Sequence, residues 1–514
     1  MQKTGKIIRT IFTSGTAFIL NCLISLLLTP FITKSVGTDA YGFVSLANNF
    51  TQYASLITIA LNSFAARYIV ISHHNNEKEK SNIYYSSTFF GDLILGTGIL
   101  AVFLIGTTFI ERILNVPENI LTDVKLLFAI SGVSFWVTTV FTVFESSAYV
   151  VNKLDLVGFF KGLSYVAECI VLVFCYMIFP AKIYYVGCGV LGANIVIALS
   201  NYWISRKWTP DLKIKRKYYR QSAVKRLVGS GVWASINSLG SLLNNGLDLL
   251  VCNLLLTPLD MGEIAIAKTI HAIFNGVQAV IGQAFHPVFL KDYAEIEKED
   301  GKEKLLKDMK FSMKVSGLFS NILFAGFFAL GLYFYKLWIP EQNILLVYQL
   351  TVINNLTAIP CGPMQPLYYT YTLTLKNRIP TIITLIGGAI NVIGMYVLIS
   401  YTGLGSYAVV LTTAVVMCVI NFITNPLYIA HVLNLPKATF YPEIVRNLVS
   451  VSAMTIAFSL LAGRLSPNSW IVLIISAIGL LLVGFVLHIY TVFTKEERRK
   501  IHSTIILKIK EKKI

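Results

Sequence analysis

Charged side chains interrupt several of the long apolar stretches in this sequence. They are the residues most readily expected to bind a ligand or transfer a proton. A charge inside an apolar segment of membrane length is costly unless it is paired or hydrated, so each one indicates an ion pair or a functional site. The residues concerned are Arg67, Asp92, Glu145, Lys161, Glu168, Asp248 and Lys268.

The two carboxylates Asp92 and Glu168 fall near the middle of their apolar stretches. A carboxylate at that depth has no headgroup within reach. We interpret both as candidate coupling sites for a proton or another cation. The alternative is a protonated acid with a structural hydrogen bond.

The remaining charges lie closer to the ends of their stretches. The rise per residue of a helix places Glu145 and Lys161 at a similar depth in the membrane, so they are a candidate ion pair. Asp248 and Lys268 are a second candidate ion pair for the same reason. Arg67 closes an apolar stretch, where a long cationic side chain either extends to headgroups or binds an anion.

Three prolines mark a second anomaly. Pro360, Pro363 and Pro366 stand three residues apart in AIPCGPMQPL, before the polar run YYTYT. They remove three backbone donors, so a helix there must bend or unwind. Broken backbone at membrane depth needs protein partners or a hydrated cavity. We predict a broken helix that lines a cavity, with a packing kink as the alternative.

Composition determines which elements carry these residues. Of 514 residues, 55% are hydrophobic and only 13% are charged, against about 25% charged in soluble domains. This predicts an all-α integral membrane protein. A helix of about 20 apolar residues crosses a bilayer. About fourteen stretches meet that length: 10–33, 42–68, 83–110, 124–150, 156–179, 183–204, 228–256, 262–288, 311–335, 344–372, 379–401, 405–430, 444–463 and 470–493.

The charge distribution predicts the orientation of these helices. Net charge is +17, and most of the 43 Lys and Arg residues fall in alternate connections, which places both termini on the cytoplasmic side. We interpret the basic segment 206–227 as a cytoplasmic linker against anionic membrane lipids, and the basic tail 495–514 as an interfacial segment. We predict no nucleic-acid partner.

A repeated motif predicts the domain organisation. LLLTP occurs at Leu26–Pro30 and again at Leu254–Pro258, and a turn is expected directly after each copy. Two related six-helix lobes joined by a linker are typical of transporters. The predicted divisions are an N-terminal lobe (1–205), the linker (206–227), a C-terminal lobe (228–435), and two extra transmembrane helices with the basic tail (436–514).

Catalytic motifs are missing from the sequence. It contains no HExxH, GxSxG or Walker A pattern, so we predict a protein that is not an enzyme and has no catalytic residues, metal or cofactor. The seven cysteines form no CxxC pair and lie in apolar runs, which favours buried small side chains. The single histidines His271 and His488 are interpreted as core or interface residues.

Several of these stretches resemble one known family. LLLTPFITKSVGTDAYG, ALNSFAARYIV and IGQAFHPVFLKDYA, together with the predicted 6 + 6 + 2 helix plan, resemble the polysaccharide transporter family. These are the Wzx-type oligosaccharide-lipid flippases of the multidrug/oligosaccharidyl-lipid/polysaccharide exporter superfamily. The resemblance extends over essentially the whole chain.

The resemblance implies a function. Members are V-shaped pairs of six-helix lobes in the bacterial cytoplasmic membrane. By alternating access, they move undecaprenyl-diphosphate-linked oligosaccharide from the inner to the outer leaflet, for capsule, O-antigen or a similar polymer. Polysaccharide polymerase machinery is an implied partner. Related lipid II flippases use arginines on helices 1, 2 and 8, whereas the first stretch here has only Arg9 at its edge, which argues against lipid II as cargo.

Residue roles follow from that cargo. Arg67 and Lys161 are the candidate phosphate-binding cations. Amides that could meet the glycan are Asn21, Asn48, Asn49, Gln52, Asn237, Asn244 and Asn245. One alternative is a multidrug exporter of the same fold, although such exporters usually have twelve helices. Another is a glycan polymerase or ligase, although the outer loops here are short.

Overall fold

The computed structural model describes residues 2–298 and 300–499 as helices joined by short connections, with no β-strand in that part of the chain. The all-α prediction is confirmed. The predicted basic tail lies outside the described residues from position 500 onward.

Twenty α-helices occur in the described residues, and we number them in chain order. They are α1 (Gln2–Val36), α2 (Thr38–Asn62), α3 (Ala65–His74), α4 (Lys78–Thr108), α5 (Ile110–Ile113), α6 (Leu121–Val150), α7 (Leu154–Ile178), α8 (Tyr184–Trp208), α9 (Gln221–Asn245), α10 (Asp248–Leu255), α11 (Pro258–Ala294), α12 (Gly301–Trp338), α13 (Ile344–Asn355), α14 (Ala358–Met364), α15 (Tyr369–Leu373), α16 (Arg378–Tyr401), α17 (Ser406–Val419), α18 (Asn425–Val432), α19 (Tyr441–Leu465) and α20 (Trp470–Val492).

Packing groups the described residues into two compact units. Unit 1 takes its residues from Met1–Ile266 and Thr384–Val409, and unit 2 takes its residues from Ala267–Ile383 and Val410–Ile514. The unit boundaries fall inside α11, α16 and α17. These boundaries reflect contacts between helices and do not coincide with the repeated LLLTP motif. The two lobes and the linker expected from the repeat therefore remain a prediction.

Membrane-length helices account for most of the chain. Thirteen helical segments among the described residues are long and apolar enough to cross a bilayer. The other predicted span, 228–256, is present as α9 and α10, separated by a break at Gly246 and Leu247. Its first part, SINSLGSLLNN, is rich in Ser, Asn and Gly. This composition explains why a helix of that length is less apolar than its neighbours.

The first turn lies later than the sequence predicted. Helix α1 continues through Pro30 to Val36, and the chain turns at Gly37, where φ is +95°. A proline removes one backbone donor without ending every helix, whereas a positive φ is readily adopted by glycine. Gly37, and not the LLLTP motif, therefore separates α1 from α2.

Helices α2 and α9 pack closely within unit 1. A Cβ atom at Gly231 would overlap the carbonyl oxygen of Ala60, so the two helix backbones are in close contact there. The Ser235 hydroxyl donates to the Leu56 carbonyl at 2.9 Å. Small residues of this kind allow helices to approach in membranes, and short polar side chains join them.

We expect Gly231→Ala to separate α2 from α9. The added methyl group meets backbone that cannot rotate away, and overpacking of this kind costs about 1–3 kcal/mol. The melting temperature of the detergent-purified protein should fall. Gly229→Ala is the matched control, because a Cβ there meets nothing within 4 Å. Equal melting temperatures for the two variants would contradict the close contact.

The basic segment between α8 and α9 is held against the start of α4. The backbone N–H of Lys213 donates to Asn82 Oδ1 at 2.6 Å, and the backbone N–H of Arg220 donates to Ser87 Oγ at 3.0 Å. Ser86 Oγ donates to the Lys213 carbonyl at 3.0 Å. The side chains of Lys213 and Arg220 remain exposed. The segment therefore presents its charges outward while its backbone is fixed.

Polar contacts join α12, α19 and α20 in unit 2. His488 is fully buried, and its Nε2 lies 2.9 Å from the Lys314 carbonyl, while its Nδ1 lies 3.0 Å from the Ser450 hydroxyl. Both ring nitrogens thus have partners, as expected for a histidine at a helix interface. Asn321 Nδ2 donates to Asn447 Oδ1 at 3.2 Å one turn further along.

Candidate functional site

A polar cavity lies between α2 and α9 in unit 1. Its volume is about 280 Å³. Its polar lining consists of Gln52, Ser55, Ser238, Ser241 and Asn245. Hydroxyl and amide groups of this kind can donate to and accept from a polyhydroxylated ligand. Two of the amides expected at the glycan, Gln52 and Asn245, therefore line one cavity.

The break between α9 and α10 forms one end of this cavity. Gly246 lines it, and its carbonyl accepts a hydrogen bond from Tyr53 Oη at 2.6 Å and one from Asn49 Nδ2 at 3.0 Å. A helix break releases carbonyls that must find other partners. Two side chains of α2 supply them here, and the buried Asp248 begins α10 directly afterwards.

Arg67 lies on α3, beyond the opposite end of the α2–α9 contact. Its side chain is exposed and forms no hydrogen bond or ion pair with the described residues. The next residue, Tyr68, is anchored through a 3.1 Å hydrogen bond between its hydroxyl and that of Ser230 on α9. Arg67 is thus a cation on a fixed backbone whose donors remain available for an anion.

Lys161 and Glu145 occupy neighbouring helices of unit 1. Lys161 is exposed on α7, and Glu145 is half-buried on α6. The two charges are near enough to interact electrostatically, but they form no direct ion pair in the described part of the chain. Tyr149 Oη donates to Glu145 at 3.5 Å. The ammonium group of Lys161 therefore also keeps its donors available.

The two mid-span carboxylates differ in their surroundings. Asp92 is fully buried and accepts a 2.8 Å hydrogen bond from Asn62 Nδ2, while its second oxygen has no hydrogen-bond partner among the described residues. Glu168 on α7 is half-buried, close to Tyr165. A buried carboxyl with only one hydrogen bond is costly in its charged form.

Asp248 and Lys268 fall in different units. Asp248 is buried at the start of α10, and Lys268 is half-buried on α11. Their expected ion pair remains a prediction.

The three prolines are buried where α13, α14 and α15 follow one another in unit 2. Pro363 lies inside α14, and Pro366 lies in the 3-10 turn Gln365–Tyr368. Because Pro366 lacks an N–H, the Gly362 carbonyl has no helical donor from that position; it accepts from the Gln365 N–H and, at 2.7 Å, from Ser316 Oγ. A side chain of α12 thus adds a hydrogen bond to the backbone between Pro363 and its neighbours.

Sequence reasoning missed a buried charge cluster in unit 2. Lys314 is 3% exposed, and its Nζ lies 2.8 Å from Glu497 and 3.8 Å from Glu443. Arg446 Nη1 donates to both carboxylate oxygens of Glu443, at 2.9 and 3.1 Å. The partners of Lys314 are more than a hundred residues away in sequence, so no spacing pattern could reveal them.

Glu497 lies beyond the last membrane-length helix. Burial raises the pKa of its carboxyl, but hydrogen bonds from Lys314 and from Thr494 outweigh this and hold that pKa below its usual range. The charged form is therefore the one that the fold stabilises.

The sequence of the chain matches one protein family over more than half of its length. A family model described as "Polysaccharide biosynthesis protein" matches residues 7–291, which is more than half of the sequence. The chain belongs to this polysaccharide biosynthesis family. The chain is similar to "Uncharacterized membrane protein EpsK" of Bacillus subtilis, 26% identical over 94% of this chain and 95% of that protein. The "Putative O-antigen transporter" of Shigella flexneri is 21% identical over 65% of this chain and 75% of its own.

Solved structures show the fold of the family member described here. "Lipid II flippase MurJ, inward closed conformation" is similar with a TM-score of 0.68, covers 94% of this chain and 99% of its own, and is 14% identical. An inward-facing multidrug resistance MATE transporter of the MOP superfamily has a TM-score of 0.61, covers 81% of this chain and 96% of its own, and is also 14% identical. The polysaccharide transporter fold expected from the sequence is confirmed.

Proposed function

We propose that this membrane protein is a flippase for undecaprenyl-diphosphate-linked oligosaccharide, which it moves by alternating access for surface polysaccharide biosynthesis. The observation that carries the proposal is the polar cavity between α2 and α9. Its hydroxyl and amide groups suit a polar cargo, and a protein that moves only apolar cargo does not require them. Membership of the polysaccharide biosynthesis family supports the same cargo class.

Each part of that cargo has a matching surface. The hydroxyls and amides around the α2–α9 cavity suit the glycan. Arg67 and Lys161 are exposed cations without carboxylate ion pairs in the described part of the chain, and they suit the phosphates. An apolar groove of about 300 Å³ in unit 2, lined by Phe327, Phe334, Phe458 and Leu480 among others, suits an isoprenoid tail.

Orientation and energy source belong to the same proposal. The excess of Lys and Arg on alternate connections supports an orientation with both termini cytoplasmic, and the proposed location is the bacterial inner membrane. Arg67 and Lys161 then face the leaflet where cargo is made. Asp92 or Glu168 would couple transport to a proton or cation gradient, and the transported glycan would pass on to polymerase machinery without chemical change.

Filling the cavity tests this proposal. Ser241 lines the cavity on α9, and Ser241→Phe should lower surface polysaccharide about tenfold or more in a strain that depends on this gene, while lipid-linked oligosaccharide accumulates inside. The matched control is Leu239→Phe on the same helix, where Leu239 is 38% exposed and does not line the cavity. A tenfold effect corresponds to about 1.4 kcal/mol of lost binding. Normal polymer in the Ser241→Phe strain, at equal protein level, would contradict the proposal.

A further inference from the structure

We propose that Arg226 is a further phosphate-binding residue, which acts together with Arg67 so that two guanidinium groups hold the two phosphates of the cargo. The inference rests on the proposed function and names the residue pair that distinguishes a diphosphate from a monophosphate. The sequence had placed Arg226 in the basic linker, where it was one of many charges.

Arg226 differs from the other linker cations because its position is fixed. It lies in the first turns of α9, and its Nη1 donates to Tyr84 Oη at 3.1 Å. Tyr84 is 3% exposed, so the phenol is a rigid support, while the guanidinium itself remains exposed. A phenol is neutral, so this contact orients the guanidinium without cancelling its charge.

No carboxylate of the described residues forms an ion pair with Arg226. The acid in this region, Glu77, is engaged by Lys80 at 2.8 Å. Arg226 thus has four further N–H donors and a full positive charge. A guanidinium group with free N–H donors and no carboxylate ion pair is well suited to bind a phosphate through two hydrogen bonds.

Two tyrosines connect Arg226 to Arg67. The rings of Tyr84 and Tyr68 lie 5.0 Å apart between centroids, and Tyr68 directly follows Arg67 in α3. The Tyr68 hydroxyl lies 3.1 Å from the hydroxyl of Ser230, which is one helical turn after Arg226 on α9. The contacts among Tyr84, Tyr68 and Ser230 therefore fix the backbone positions of both arginines, which lie on adjacent helices.

This arrangement matches the chemistry of a diphosphate. Two linked phosphates carry at least two negative charges, which a single guanidinium cannot neutralise. Each planar fork can take one phosphate through two parallel hydrogen bonds. A monophosphate would engage only one of the two. The pair therefore predicts preference for a polyprenyl diphosphate over the corresponding monophosphate.

The test compares binding of two lipids to the purified full-length protein in nanodiscs, by native mass spectrometry. The probes are undecaprenyl diphosphate and undecaprenyl monophosphate. We expect the wild-type protein to prefer the diphosphate about tenfold, and Arg226→Gln to bring that ratio near one, since tenfold is the effect of one lost charge-assisted pair. Arg226→Lys should retain part of the preference. Tyr84→Phe should lower it less than Arg226→Gln does.

Lys225→Gln is the matched control, because this neighbouring exposed lysine removes the same charge without touching the tyrosines. Its ratio should equal that of the wild type, and an equal loss would overturn the inference by showing a general charge effect. Inorganic pyrophosphate should displace the lipid only at much higher concentration. Displacement by pyrophosphate at equal concentration would overturn the assignment to a lipid-borne diphosphate.

The outcomes separate this inference from the proposed function. If Arg67→Ala abolishes binding of undecaprenyl diphosphate while Arg226→Gln keeps the wild-type ratio, Arg226 has only a structural role and the flippase proposal stands. If neither lipid binds to the wild-type protein, the proposed function itself fails.

Discussion

Arg67→Ala is expected to lower transport of lipid-linked oligosaccharide about 100-fold while the protein still reaches the membrane. Hydrogen bonds to a charged partner contribute about 1.5–3 kcal/mol, and each 1.4 kcal/mol is a factor of ten. Arg67 is exposed and has no partner among the described residues, so its loss should cost little stability. Surface polysaccharide, normalised to protein in the membrane fraction, measures the effect.

Arg67→Lys separates charge from geometry. Lysine keeps the charge but cannot form the two parallel hydrogen bonds of a guanidinium. It should restore transport to an intermediate level. Normal polymer in the Arg67→Ala strain would show that this residue only extends to headgroups.

Lys314→Met is expected to destabilise unit 2 by about 3 kcal/mol. Removing one partner of a buried ion pair leaves the other charge uncompensated, at a cost of about 3–5 kcal/mol. The lower value applies because Arg446 still bonds Glu443, and because Glu497 can turn toward water. The melting temperature of the purified protein measures the change. Lys307→Met on the same helix is the control, since Lys307 is exposed.

A second substitution tests whether the cost comes from the unpaired charge. Lys314→Met combined with Glu497→Gln removes both charges and should be more stable than Lys314→Met alone. In the wild-type protein, acidification should lower the melting temperature. The pKa of Glu497 is lowered in the folded state, so its contribution is present above the unfolded pKa of about 4.3 and is lost as the pH falls through the folded value. Equal melting temperatures for the single and double variants would contradict the ion pair.

The helices could be predicted from the sequence because apolar length is a local property. The region 228–256 was predicted as one span, and it forms the two helices α9 and α10. Its break depends on Asn49 and Tyr53, which bind the Gly246 carbonyl from a different helix. A sequence window that contains Gly246 does not contain those partners.

The candidate site shows the same limit. Arg67 and Lys161 were selected because each is a charge in an apolar stretch, and the structure leaves both exposed. Arg226 stands among many linker cations, and only its contact with Tyr84 distinguishes it. The broken helix lining a cavity, expected from the prolines, remains a prediction, and the hydroxyl of Ser316 that binds the Gly362 carbonyl comes from α12. The sequence could not show which side chains from distant segments contact these residues.

The central claim is tested most directly by translocation in liposomes that contain only the purified protein. A fluorescent undecaprenyl-diphosphate-linked saccharide is placed in one leaflet, and a membrane-impermeant quencher reports its movement to the other. We predict that the wild-type protein accelerates this movement, that Arg67→Ala does not, and that a fluorescent phosphatidylglycerol is not moved. Movement no faster than in protein-free liposomes, or equal movement of the phospholipid, would contradict the account.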